Sequence, residues 1–184
     1  MIRELLQKNR SYRSFDNSFI VPKETLYRLV ENVRYTPSTR NAQALRFRLC
    51  YEKEECARVL ALTRWAGALK DLHFPPEGQE PTAFIVICAE QEIFMRDVGI
   101  AAQTIMLSAA EMDLGGCMIG SFDSEKLSEL LGIPAELKPR LVLALGKPNE
   151  TVVIEDAAQG SLTYYRDENN VHHVPKLKIE DMIL

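Results

Sequence analysis

The chain is predicted to fold as an α+β domain, and three observations carry the prediction. Residues 82–89 form a continuous apolar run of strand length, suited to a strand buried on both faces. Residues 97–114 carry apolar side chains almost all round a helical repeat, so that helix should be covered on most sides. Strand and helix patterns follow one another without the regular βαβ alternation of a parallel-sheet fold.

The elements can be justified in chain order. Residues 2–8 read as a short helix. Pro22 opens a second one, with Glu24 near its positive end and Leu26, Leu29, Val30 and Val33 on one face. Pro37 restricts the residue before it, so this helix should stop near Tyr35. In 45–51 apolar and basic residues alternate up to Leu49, and Phe47, Leu49 and Tyr51 share one face of a strand. Residues 52–65 look helical. Three prolines and a glycine make 72–81 a loop, and the apolar run at 82–89 follows. In the long helix Asp97 is expected to cap the start and Gly115 to end it in the left-handed conformation. Residues 117–119 and 141–145 read as strands, with a short helix capped by Ser124 over 124–131 between them. Residues 164–166 and 171–174 flank Asp-Glu-Asn-Asn, a hairpin signal.

Composition narrows the function. The 184 residues suit one domain, 1–184, and 46% hydrophobic content supplies a core. A net charge of -4 argues against a nucleic-acid binder. The N-terminus has no signal-peptide pattern and no run approaches a membrane span, so no membrane partner is expected. Cys50, Cys56, Cys88 and Cys117 form no C-x-x-C pair, no metal site is expected, and a reducing, cytoplasmic setting fits best.

Four segments could carry chemistry. In Asn9-Arg10-Ser11-Tyr12-Arg13-Ser14-Phe15, two guanidinium forks and a hydroxyl can converge on one phosphate; taken alone, the same residues read more readily as a solvated basic turn. In Pro37-Ser38-Thr39-Arg40-Asn41-Ala42-Gln43, amides and hydroxyls offer both donors and acceptors, as the edge of a heterocycle requires, or simply a turn. In Leu114-Gly115-Gly116-Cys117-Met118-Ile119-Gly120-Ser121, glycines let backbone approach a flat ligand, or merely end a helix before a buried strand. In the tail Val174-Pro175-Lys176-Leu177-Lys178, two lysines can meet an anion, or belong to an ordinary charged tail. His172 and His173 are adjacent, face opposite sides of a strand and read as structural. No nucleophile–base constellation stands out.

The order and spacing of these segments resemble the nitroreductase family over nearly the whole chain. The family's R-x-S-x-R/K opening resembles Arg10-Ser11-Tyr12-Arg13, which lacks the residue between the first Arg and Ser. Its P-S-x-x-N-x-Q loop is matched by Pro37, Ser38, Asn41 and Gln43. Its D-x-G-x-A-x-Q helix ending in L-G is similar to Asp97 through Gln103 and on to Leu114-Gly115. Its late G-x-P resembles Gly146-Lys147-Pro148, and its tail K-x-R/K resembles Lys176 and Lys178.

The resemblance implies a three-layer α+β sandwich with a mostly antiparallel sheet flanked by helices. It also implies a domain-swapped homodimer with an FMN at each interface site. Arg10, Ser11 and Arg13, with Lys176 or Lys178, would hold the phosphate. Pro37, Ser38, Asn41 and Gln43 would reach the flavin from the partner chain, and Gly120 and Ser121 would face the ring. The implied activity is ping-pong hydride transfer from NADH or NADPH through the flavin N5 to a nitroaromatic, quinone or similar small acceptor, with no catalytic side chain. Two departures stand out. Ala44-Leu45 replaces the Pro-Trp that often follows the Gln, and 67–81 is short for the substrate lid. The short lid also suits an FMN carrier or sensor without rapid turnover.

Overall fold

The computed structural model describes residues 2–67, 69, 72–157 and 160–184. Its centre is the apolar run, strand β3 (Ala83–Ala89), every residue of which is buried. It pairs antiparallel with β2 (Arg46–Cys50) on one side and with the eleven-residue β5 (Lys138–Pro148) on the other. On its far side β5 pairs antiparallel with β4 (Gly115–Ile119), and its end takes the two-residue β1 (Phe15–Asp16). The result is a five-stranded antiparallel sheet.

The sheet is buried on both faces because side chains alternate along β3. Ala83, Ile85 and Ile87 face a core completed by α2 (Lys23–Val33) and α4 (Met95–Glu111). Phe84, Val86 and Cys88 face a second core that includes Cys56 and Val59 of α3 (Lys53–Ala61) and Leu127 and Leu131 of α5 (Ser124–Leu131). This is the α+β class read from the sequence, with the helix–sheet–helix layering that the resemblance implies. A smaller sheet follows: β6 (Val152–Asp156) runs parallel to β8 (His172–Lys176), which pairs with β7 (Tyr165–Arg166) as the expected hairpin. All four cysteines lie buried and free; burial pushes Cys56 up to about 12 and Cys88 up to about 11, as suits small apolar side chains.

Several expectations need correcting. The helix begins at Met95, not Asp97, and Asp97 sits inside its first turn, 4% exposed, bound to a different segment. Gly115 does not end the helix. Asp113 takes the left-handed conformation, φ 58°, and Gly115 is already the first residue of β4. Asp123, not Ser124, caps α5 by accepting from the Lys126 N–H at 3.1 Å. The helix expected over 52–65 stops at Ala61, because Thr63 is drawn off to bridge Phe122. Of the short 67–81 region, residues 68, 70 and 71 lie outside the described residues. One stretch, Glu92–Glu111, is after all long and apolar enough on composition to cross a bilayer. Here one face of it is core, contributing Val98, Ala101, Ala102, Ile105, Met106 and Ala109 to the first core, while Met95 and Ile100 lie exposed on a helix that the sequence suggests is covered on most sides.

Candidate functional site

Three glycines set where the first arginine pair lies. A Cβ on Gly115 would fall 2.7 Å from the Pro148 Cγ and would also collide with the Tyr12 ring. A Cβ on Gly116 would drive into the carbonyl of Ala144, and one on Gly146 would fall 2.8 Å from the Phe15 ring. Bare backbone here lets residues 10–15 lie directly on the sheet edge. The Tyr12 N–H donates to the Gly116 carbonyl at 2.9 Å, and Ser11 bridges Gly116 in parallel register. These glycines therefore seat a protein segment, whereas the sequence suggested that backbone here would approach a ligand.

So placed, Arg10, Ser11 and Arg13 line one pocket of about 360 Å³ with Lys176 from β8. Gln103 and Met106 of α4, Met118 of β4, and Tyr164 and His172 of the small sheet complete its wall. Each guanidinium is held by a backbone carbonyl: Arg10 Nη2 donates to Leu6 at 2.5 Å and Arg13 Nη1 to Ser11 at 3.1 Å. Arg13 also stacks over the Tyr164 ring at 5.3 Å. Yet Arg10 Nε and Arg13 Nε are buried and have no hydrogen-bond partner among the described residues. Buried donors left unmade cost about 1–3 kcal/mol each, and more when charged. Burial pulls Arg10 below its usual value, opposed by the Tyr12 phenol. His172, 1% exposed and stacked on Tyr164, is pushed down to about 4, first by burial and then by Arg13, Arg166 and His173. An anion in the pocket would suit its cationic lining.

The second segment lines a different pocket, of about 270 Å³, which includes Pro37, Ser38, Asn41, Gln43, Leu45, Phe47 and Asp97. Its loop holds three non-glycine residues at positive φ: Arg40 at 54°, Asn41 at 54° and Gln43 at 47°. Asp97 holds it there. Its carboxylate accepts the Thr39 N–H at 3.0 and 2.9 Å and the Thr39 hydroxyl at 2.8 Å. Within the loop the Gln43 amide donates to Asn41 Oδ1 at 3.3 Å, leaving both side chains exposed.

The structure thus brings Arg10, Ser11, Arg13 and Lys176 together, and Pro37, Ser38, Asn41 and Gln43 together, in two separate pockets. Lys178, Gly120 and Ser121 line neither pocket and are exposed. Sequence reasoning missed Tyr164 and His172 as pocket residues; their position depends on the pairing of β6 with β8, which leaves no local signal. Gln103 had a signal, as the glutamine of the helix motif. Among the described residues, no group of three or more His, Cys, Asp or Glu is placed to hold a metal ion.

An antiparallel sheet between two helical layers, with a pocket lined by Arg10, Arg13 and Lys176 where the N-terminal segment meets the small sheet, defines an α+β protein with a candidate anion site. Sequence narrows the class. Residues 6–73 and 88–147, more than half the chain, match the Nitroreductase family, and the chain belongs to that family. It is 36% identical over 55 residues to Protein DrgA of Synechocystis sp., a match spanning 30% of this chain and about a quarter (26%) of that relative. The fold is similar to a nitroreductase family protein from Streptococcus pneumoniae TIGR4, with a TM-score of 0.72 and 15% identity over 100% of this chain and 99% of the other. It is also similar to an FMN-dependent nitroreductase from Clostridium difficile R20291, with a TM-score of 0.66 and 23% identity over 92% and 94% of the two chains. At such identities the likeness is one of fold.

Proposed function

We propose that this nitroreductase-family chain, as one domain of residues 1–184, is an FMN-dependent oxidoreductase. It would pass hydride from NADH or NADPH to a nitroaromatic, quinone or similar small acceptor. The observation that carries the reading is that Arg10, Arg13 and Lys176 line one pocket, with the Nε of each arginine buried and unpartnered among the described residues. They fit a phosphate. FMN bound there would supply the redox chemistry, and the protein's part is to bind, orient and tune it.

Arg10, Arg13 and the Ser11 hydroxyl hold the phosphate, with Lys176 closing from β8 and Lys178 a second cation two residues further on. Met118 belongs to the pocket wall, so β4 leads from the phosphate end to Gly120, whose backbone faces open space, and to the exposed Ser121. No side chain of this chain needs to act as nucleophile or general base.

The second pocket completes the site from another copy, so the working unit is a homodimer. The surface suits this. Helix α1 (Ile2–Lys8) buries no residue and leaves Ile2 and Leu6 exposed; Ile100 lies exposed on α4. Residues 177–184 are exposed throughout, with Leu177, Ile179, Met182 and Ile183 among them, a tail suited to exchange onto a partner. In the dimer, Ser38, Asn41 and Gln43 meet the flavin of the other chain beside Pro37.

The test is to load purified protein with FMN and follow oxidation of NADH and of NADPH with a quinone or a nitroarene. Steady turnover is expected. Bound FMN that neither donor reduces would make the protein a carrier, and failure to bind FMN would overturn the reading altogether. Arg13→Ala should weaken FMN binding by about 2–5 kcal/mol, the scale of truncating a buried charged partner. Unchanged retention would remove Arg13 from the phosphate site.

A further inference from the structure

Bonded to the backbone of Arg13, which lines the phosphate pocket, is a carboxylate that lies outside the pocket's lining. Glu150 follows β5 and is almost fully buried, its side chain 2% exposed. One of its oxygens accepts the backbone N–H of Arg13 and, at 3.1 Å, that of Ser14. The other accepts from Arg166 Nη2 on β7, itself 7% exposed. Arg166 in turn donates through Nη1 to the carbonyl and side-chain oxygens of Asn170 at 3.1 and 3.0 Å, and lies 4.8 Å over the Phe74 ring. A single carboxylate therefore joins the segment bearing Arg10 and Arg13 to the hairpin bearing His172 and Lys176.

We propose that Glu150 is the positioning residue of the phosphate pocket, fixing Arg13 by its backbone and the β7–β8 hairpin through Arg166 so that both walls face one anion. The proposal rests on the FMN reading above and adds to it a residue that never touches the cofactor. Its sign is distinctive. A buried negative charge beside an anion site repels the anion, so a carboxylate acting only through its charge would weaken phosphate binding, and its neutralisation would strengthen it. A positioning carboxylate does the opposite: without it the cations lose their alignment and binding falls.

The experiment compares FMN with riboflavin, which has the same ring and no phosphate, by fluorescence titration of the full chain. Glu150→Gln keeps the volume and one acceptor. It is expected to lower FMN affinity by roughly 10- to 100-fold, the scale of an ångström-level misplacement, and to change riboflavin affinity little. A purely structural role would lower both equally along with the melting temperature, and a purely electrostatic one would raise FMN affinity; either result overturns the proposal. Because Glu150→Gln strands a buried Arg166, the double variant Glu150→Gln/Arg166→Met is measured alongside. It removes both charges and should still lack the FMN preference; recovery of that preference refutes the positioning role. If the wild-type chain does not favour FMN over riboflavin, the phosphate reading of the pocket fails first, and the proposal with it.

Discussion

Replacing Asp97 by Asn tests how the strained loop is held. Three non-glycine residues in the left-handed region, Arg40, Asn41 and Gln43, cost about 1 kcal/mol each, so the loop stores about 3 kcal/mol. Against this stand the Thr39 amide and hydroxyl bonds to a carboxylate that is only 4% exposed. Hydrogen bonds to a charged group contribute about 1.5–3 kcal/mol each, so anchor and strain nearly balance. Asn retains one oxygen able to accept both bonds but loses the charge, and neutral bonds contribute about half as much. The expected loss is about 2 kcal/mol, read as a lower urea midpoint with an unchanged slope. The local readout is hydrogen exchange at the amides of 39–43, which should quicken before the core opens. If the Thr39 amide keeps its protection and stability moves by less than about 0.5 kcal/mol, Asp97 is not what holds the loop.

Three other outcomes follow from the same geometry. Gly116→Ala should cost about 3 kcal/mol or more, the upper range of overpacking, because its Cβ meets the Ala144 backbone; Gly99, with open space around it, is the control, and equal melting temperatures for the two variants would refute the steric reading. Two histidines should act oppositely on stability with pH. Because burial holds His172 at about 4, the unfolded chain alone takes up that proton below about pH 6.5, and stability falls as pH drops toward 4, by at most about 3.5 kcal/mol at about 1.4 kcal/mol per pH unit. His173 is raised above its ordinary value, first by its bond to Glu155, so its contribution is full below about pH 6.5 and fades as pH rises through the raised value; His172→Asn should flatten the acid limb of a pH–melting curve, and an unaltered slope would contradict the assignment. Ile100→Glu, on the exposed face of α4, tests the proposed homodimer: in analytical ultracentrifugation the unaltered chain should sediment as a dimer and the variant as a monomer, and an unaltered chain that sediments as a monomer, or a variant that stays dimeric, would refute an interface through that face.

What could be read from the sequence depended on the range of the interaction. The Thr82–Ala89 run needs both faces covered wherever it lies, so its central position was legible from side chains alone. The same holds for α2 and its apolar face. Asp97 was misread because a carboxylate near a helix start suits a cap, and only the folded chain brings Thr39, 58 positions away in sequence, to the same oxygens. Gly115 was misread for a similar reason. A glycine after a helix suits a C-cap, but the pressure on it comes from Tyr12 and Pro148, far off in the chain. The convergence of Arg10 and Arg13 on one pocket was legible in their spacing, whereas Glu150, Tyr164 and His172 were not, since nothing local marks a residue whose partners lie far off in the chain.

The composition of α4 has a consequence for how the protein is made. This helix ends at Glu111, but β5, whose Leu143 and Leu145 share its core, begins only at Lys138. Chains emerge from the ribosome at about 5–20 residues per second, so for seconds a segment apolar enough to resemble a bilayer span waits for the strand that will cover it. During that interval its shelter within the first core comes from α2, β3 and the partly buried Phe47 and Leu49 of β2. The order of synthesis thus leaves α4 without its β5 cover until residues 138–148 have been added.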